Sequence, residues 1–234
     1  MQVLVDNLDV FAKGLYVTLQ LCLLAGIGAL VLGTALAAMR ISPVPPLRWL
    51  GTAYVTVLRN TPLTIVFFMA VFGLPELGSN AQFLRIPGLD SLFSRLGTDL
   101  PYFRFAIIAL TVYTAAFVCE ALRAGVNAVQ PGQSEAGRSL GLTFLQNLRM
   151  IVLPQAGRAT VVPLGSVIIA MIKNSALAGI FGVAGDLMQT SDELTAQGEA
   201  TIPVFIGVAV GYLVLTVPLG LLLDRIERRQ AVTR

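Results

Sequence analysis

The chain has no histidine, only two lysines and few charges of any kind. Without histidine there is no His-based catalytic triad, no His metal site and no imidazole proton relay. Its two cysteines, Cys22 and Cys119, each sit inside an apolar run, far from the closely set pairs of a small secreted disulfide domain. Both read as small apolar fillers. Charged residues make up 12% of the 234 residues and hydrophobic ones 56%, whereas soluble domains carry about 25% charge. A soluble protein of this composition could not cover its surface with polar groups, so the membrane is the expected solvent. The net charge of +3 is too small and too scattered for a nucleic-acid-binding face. A G-x-x-x-x-G-K-[ST] phosphate loop is also missing, so ATP is not expected to bind this chain. No carboxylate pair, Cys–His set or metal cluster points to an enzyme; catalytic and metal-binding residues are expected to be none, and no cofactor is expected on the chain. The opening residues, which carry Asp6 and Asp9 and no basic run, do not read as a signal peptide.

What is present is a series of long apolar runs. About 20 apolar residues cross the hydrocarbon core, and five stretches qualify: roughly 15–39, 53–74, 103–122, 160–180 and 202–223. The expected fold is therefore all-α, one membrane domain over residues 1–234 with about five spans. Gly26, Gly28 and Gly33 in the first span suit close helix packing, or are ordinary membrane-helix composition. The outer loop of about 75–102 is long enough to hold a short surface helix. Arginine placement sets an expected orientation. Arg40, Arg48, Arg123, Arg138, Arg149, Arg158, Arg225, Arg228, Arg229 and Arg234 fall on one side of a five-span chain, against Lys13, Arg85, Arg95 and Arg104 on the other. The first side is expected to be cytoplasmic, which puts the N-terminus outside and the C-terminus inside.

Between the third and fourth spans lies a cytoplasmic loop of about 123–158, long for a compact bundle. Pro131-Gly132 signals a turn, Ser134 is an expected helix cap, Glu135 is placed in the first helical turn, and Gly141 is an expected stop. That predicts a helix of about seven residues, too short to persist without a partner surface.

The loop reads Glu135-Ala136-Gly137, then Gly141, then Ile151-Val152-Leu153-Pro154. This resembles the signature of permease subunits of ATP-binding-cassette importers: Glu-Ala-Ala, three residues, Gly, nine residues, Ile-x-Leu-Pro. Gly137 stands where the motif prefers Ala and is expected to weaken the helix slightly. Further stretches resemble the polar amino-acid branch of the family (histidine, glutamine and glutamate permeases). Arg59-Asn60-Thr61-Pro62-Leu63 is similar to Arg-Gly-Thr-Pro-Leu, with Asn60 in place of Gly. Lys173-Asn174-Ser175-Ala176-Leu177 is similar to Lys-Asp-Thr-Ser-Leu, and Ser166 stands where that branch often has Asn. Glu120, Arg123, Gly125, Pro131-Gly132-Gln133 and Leu153-Pro154-Gln155-Ala156 follow the same branch. The resemblance covers about 55–180, and the Lys-Asn-Ser variant looks most like glutamate-type permeases of actinobacteria.

The resemblance implies a type I importer permease fold in the bacterial inner membrane. It implies that the loop carries a coupling helix seated on an ATPase subunit, with Glu135, Ala136, Gly137, Gly141, Ile151, Leu153 and Pro154 as the coupling residues. It also implies two ATPase copies that hold the ATP and Mg, a second permease subunit (identical or related) and an external amino-acid-binding protein. On this reading the first span wraps the partner subunit, the later spans make the core, and the cargo is a polar amino acid, with glutamate, glutamine or aspartate favoured. An ion channel or a secondary transporter is the competing reading.

A charge inside the bilayer costs at least about 2.5–3.5 kcal/mol, so three residues need a reason. Arg59, with Asn60, Thr61 and the break-prone Pro62, either lines the substrate pathway, or snorkels to the headgroups or pairs inside the bundle. Lys173, with Asn174 and Ser175, either forms a polar site for a carboxylate or snorkels outward, and Gly179 and Gly182 allow the chain to break there. Glu120 and Arg123 share a helical face and are expected to form a structural or gating pair.

Overall fold

The computed structural model describes residues 2–76, 101–182 and 185–231. The outer-loop expectation for 75–102, with Arg85 and Arg95, lies almost wholly outside the described residues. A short α1 (Gln2–Asp6) leads into α2 (Leu8–Ile41), α3 (Pro45–Asn60) and α4 (Leu63–Glu76). Next come α5 (Pro101–Asn127), α6 (Pro131–Ser139) and α7 (Phe144–Asn147). The chain ends with α8 (Leu153–Asn174), α9 (Ala176–Ile180), α10 (Gln189–Ala196) and α11 (Thr201–Ala231). The described residues contain no strand.

Four helical stretches are long and apolar enough to cross a membrane: Leu8–Ile41, Tyr102–Asn127, Phe144–Ile180 and Thr201–Arg229. A bent pair, α3 with α4, raises the number to five. Their outer faces are apolar, as with Leu23, Ile27 and Val31 on α2 and Leu213, Val217 and Leu221 on α11. Lipid tails accept such faces, and helices satisfy every backbone group without water.

The expected second span over 53–74 is not one helix. Its two halves meet at 106°. The cause is local. The residue before a proline is pushed out of the α region, and Thr61 is extended (φ −97°, ψ 130°) ahead of Pro62. The Thr61 N–H turns to the Leu58 carbonyl, and Thr61 Oγ1 donates instead to that of Val57 at 2.8 Å, while Asn60 Nδ2 donates to the Thr56 carbonyl at 2.7 Å. Arg59 therefore ends α3 rather than lying within a continuous span.

The core runs through all the long helices. Leu21 and Ala25 of α2, Phe67 of α4, Leu110 of α5 and Met171 of α8 are buried together, and Phe67 stacks on Phe181 at 5.6 Å. The first span belongs to this core, contrary to the expectation that the later spans alone build it. It lies against α5 so closely that a β-carbon on Gly28 would stand 2.8 Å from Thr111 Oγ1, and one on Gly33 2.6 Å from Val118 Cβ. Two of the three glycines noted in that span thus face α5, and a β-carbon on the third, Gly26, would stand 3.2 Å from the Met171 side chain of α8. Van der Waals approach of this kind is what holds helices together in lipid. Both cysteines are free and buried.

Candidate functional site

Three groups of residues stand out, and the first is the loop after α5. Helix α6 starts at Pro131, a favoured first helical position because proline's missing N–H is not needed there. It runs nine residues, not seven. Ser134 is not its cap: Gln130 precedes the helix, and Glu135 lies beyond the first turn. Ser134 instead receives Asn147, whose Nδ2 donates to the Ser134 carbonyl at 2.9 Å and to its Oγ at 2.8 Å. Gly141 ends the helix as expected, at φ +82°, a conformation that costs side-chain-bearing residues most. Thr143 then caps α7 in a reciprocal box with Gln146.

This geometry explains the motif spacing. A β-carbon on Gly137 would stand 2.5 Å from Ile151 Cδ1 and 2.6 Å from Asn147 Oδ1. Gly137, at the position where the motif prefers Ala, and the motif's Ile151 are packing partners, with a five-residue π-helical turn, Leu148–Val152, between α7 and α8. Ala136, Glu135, Leu153 and Pro154 remain exposed. So do Leu140 (83%), Phe144 (79%), Leu145 and Met150, which give the loop an apolar patch beside its polar helix. Asn147, which the sequence reading missed, pins α6 to α7. Gly137→Val is expected to lever α6 off Asn147 and cut coupled ATP hydrolysis at least about tenfold, as overpacking of about 1–3 kcal/mol allows. Wild-type ATP hydrolysis by an ATPase bound to the variant would show that the contact is not needed.

The second group is an ion cluster. Glu120 and Arg123 do share a face, at 3.7 Å between Oε1 and Nη1. The same carboxylate also bonds Arg40 Nη1 at the end of α2 and lies 3.7 Å from Arg59 Nη1 at the end of α3. One carboxylate on α5 thus joins three arginines from three helices, at the end of the bundle from which α6 emerges. Arg40 and Arg59 are more than 60 residues from Glu120 in sequence, and no local pattern links them.

The third group divides Lys173, Asn174 and Ser175 three ways. Lys173 is exposed and Ser175 fully buried, with its Oγ donating to the Ile172 carbonyl at 2.7 Å. Asn174 lines an open cavity of about 320 Å³ with Tyr113, Thr114 and Phe117 of α5 and Ser166 and Met171 of α8. This is within the size range of small-ligand pockets, and its few polar groups in an apolar wall fit that use. The helix breaks at Ser175, between α8 and α9; Gly179 is still helical, and Gly182 turns the chain at φ +84°. Among the described residues, no group of three or more His, Cys, Asp or Glu side chains is set to hold a metal.

Known proteins resemble this chain along nearly its whole length. Residues 29–232 match the family described as "Binding-protein-dependent transport system inner membrane component". The probable glutamine ABC transporter permease protein GlnM of Bacillus subtilis is 41% identical over 97% of this chain and 96% of its own. The glutamate transport system permease protein GluC of Corynebacterium efficiens is 41% identical over 94% and 93%. Among solved structures, the crystal structure of an amino acid ABC transporter with histidines superposes with a TM-score of 0.82 at 31% identity, over 97% of this chain and 96% of that one. The apolar helices, the loop spacing and this likeness agree: the chain belongs to the family of inner-membrane components of binding-protein-dependent transport systems, as a multi-pass permease subunit that is not itself an enzyme.

Proposed function

We propose that the chain forms half of the membrane pathway of an importer for a polar amino acid, with glutamate, glutamine or aspartate as the favoured cargo. Relatives named for glutamine and glutamate at the same identity support this range. Two ATPase copies hold the ATP and Mg, a second permease subunit completes the pathway, and an external binding protein delivers the amino acid. The excess of arginines supports a cytoplasmic C-terminus and an outer N-terminus. On that orientation α6 faces the cytoplasm and docks the ATPase through Glu135, Ala136, Leu140 and Phe144, while Gly137, Gly141, Ile151, Leu153 and Pro154 hold it in place.

The observation that carries the pathway reading is the cavity between α5 and α8. Asn174 offers both a donor and an acceptor to an amino acid's polar groups. Tyr113 and Phe117 form the apolar wall, and the second permease subunit closes the open side. Arg59, Asn60 and Thr61 act at the hinge of α3 and α4. Arg59 serves there with Glu120, Arg40 and Arg123 as a clasp that joins α2, α3 and α5 next to the coupling loop, and this supports a gating role over direct substrate contact. Lys173 reaches outward, and Ser175 supports the helix break.

Asn174→Ala is expected to lower amino-acid uptake by the reconstituted transporter about tenfold while ATP hydrolysis without substrate is unchanged. That is the loss given by about 1.4 kcal/mol of lost hydrogen bonding. Equal uptake by variant and wild type would remove Asn174 from the pathway.

A further inference from the structure

The segment between α9 and α10 holds a carboxyl that the transport reading leaves unused. Asp186 is fully buried, at the end of the bundle opposite α6. Its Oδ1 accepts the Gln189 N–H at 2.8 Å, and Gly179 approaches that oxygen so closely that a β-carbon there would collide with it. Its Oδ2 has no hydrogen-bond partner among the described residues, and neither has the Tyr212 hydroxyl of α11. The backbone around it is bound to α2: the Leu187 N–H donates to Thr18 Oγ1 at 2.9 Å, and a β-carbon on Gly14 would stand 3.3 Å from the Asp186 carbonyl. Four elements therefore meet at one carboxyl, namely α2, α9, α10 and α11.

The titratable groups that face this carboxyl are the Cys22 thiol from α2, the Tyr212 phenol from α11 and the Asp192 carboxyl from α10. α9 contributes only backbone and Gly179. No cation is among them, and Lys13 and Lys173, the lysines on the packed helices, are exposed. An ionised carboxylate in such a place would have one oxygen unsolvated and no counter-charge, a costly state that protonation relieves.

We propose that Asp186 is a proton-binding site that latches residues 185–188 and the start of α10 onto α2 and α11. It is neutral in the closed arrangement, and it ionises when that segment lifts and water reaches the carboxyl. The proton is the ligand, so the latch weakens as the surrounding pH rises. Burial is the largest influence and pushes the carboxyl up from its ordinary 3.8 to about 7, against the backbone N–H groups of Gln189, Met188 and Gly179, which pull it down.

The direction of the pH effect follows. The unfolded chain releases this proton near 3.8 and the folded chain near 7. Between these values the folded state binds more protons, so stability falls as pH rises through that window and levels off above it. The amide of Asp186→Asn imitates the neutral carboxyl and does not titrate.

The test is thermal unfolding of the assembled transporter, permease with its ATPase, in lipid nanodiscs at pH 5.5, 7 and 8.5. Wild type is expected to lose roughly 5 °C between the first and last pH, and Asp186→Asn to show a curve flatter by that amount. Parallel curves overturn the proposal. Should the variant fail to assemble, infrared spectra of wild type labelled with 13C-aspartate decide. A protonated-carboxyl band present at pH 5.5 and gone by pH 8.5 upholds the latch, and absence of the band at pH 5.5 overturns it. Neither readout involves an amino-acid substrate, so failure here leaves the transport reading untouched, and the reverse holds too.

Discussion

Gly33→Val is expected to abolish assembly of the transporter, with less than about a tenth of the wild-type yield of folded complex. The first branch atom would stand 2.6 Å from Val118 Cβ and Cγ1 and 2.9 Å from the Ala115 carbonyl oxygen. A flexible side chain could swing aside, but a β-branched valine and a backbone carbonyl cannot. The two helices must separate, and with them the buried cluster of Leu36, Val55, Ala115, Ala116 and Cys119. Overpacking of a tight site costs about 1–3 kcal/mol and more where backbone must move. In lipid no hydrophobic effect drives the helices together again, so packing lost at the contact is not recovered elsewhere. Gly73→Val is the control, because only the end of the Met69 side chain lies near its β-carbon position, at 3.5 Å. Detergent extraction and size-exclusion yield report the result. Equal yields from the two variants would mean that the α2–α5 approach is not a stability contact.

The second large effect belongs to the loop. Glu135→Ala combined with Leu140→Asp is expected to leave the permease folded and to remove its ATPase. Both side chains are exposed, and Leu140 has 83% of its surface in contact with solvent. The substitutions therefore remove nothing from the interior. If α6 seats in a groove of the ATPase, Leu140 is desolvated there, and an aspartate in its place buries an unpaired charge. Losing one partner of a buried contact in this way costs about 2–5 kcal/mol, or a 30-fold to 4000-fold loss of affinity. Co-purification and ATP hydrolysis measure it. Full retention of the ATPase by the double variant would separate α6 from coupling.

Much of the architecture was legible because the bilayer imposes one rule on every spanning segment. Long apolar stretches have to be helices, and four of the five expected runs lie within long helices. The turns of the loop after α5 were legible for a different reason. Gly137 and Ile151 touch, and Gly141 needs positive φ, so their spacing records a three-dimensional fit. The expectation for Ser134 failed because a serine before a glutamate reads as a cap wherever it occurs. Pro131 had already started the helix, and Asn147, thirteen residues away, claimed the serine. Pro62 was read as break-prone within a single span, but not as a turn of 106°, since hydropathy does not register a change of direction. What sequence could not reach were contacts between distant positions: Arg40 and Arg59 on Glu120, or Thr18 and Tyr212 around Asp186. Those depend on helix rotation, and a uniformly apolar helix such as α2 carries little pattern that sets its rotation.

This chain is expected to conduct a polar amino acid only when driven by a separate ATPase. Uptake of radiolabelled glutamate and glutamine into proteoliposomes tests it, with the permease reconstituted alone and then with its ATPase and binding protein, with and without internal ATP. Uptake that needs all three components and ATP is the expected result. Uptake by the permease alone, driven by an ion gradient or running freely down the substrate gradient, would contradict the account and mark the chain as a secondary transporter or a channel.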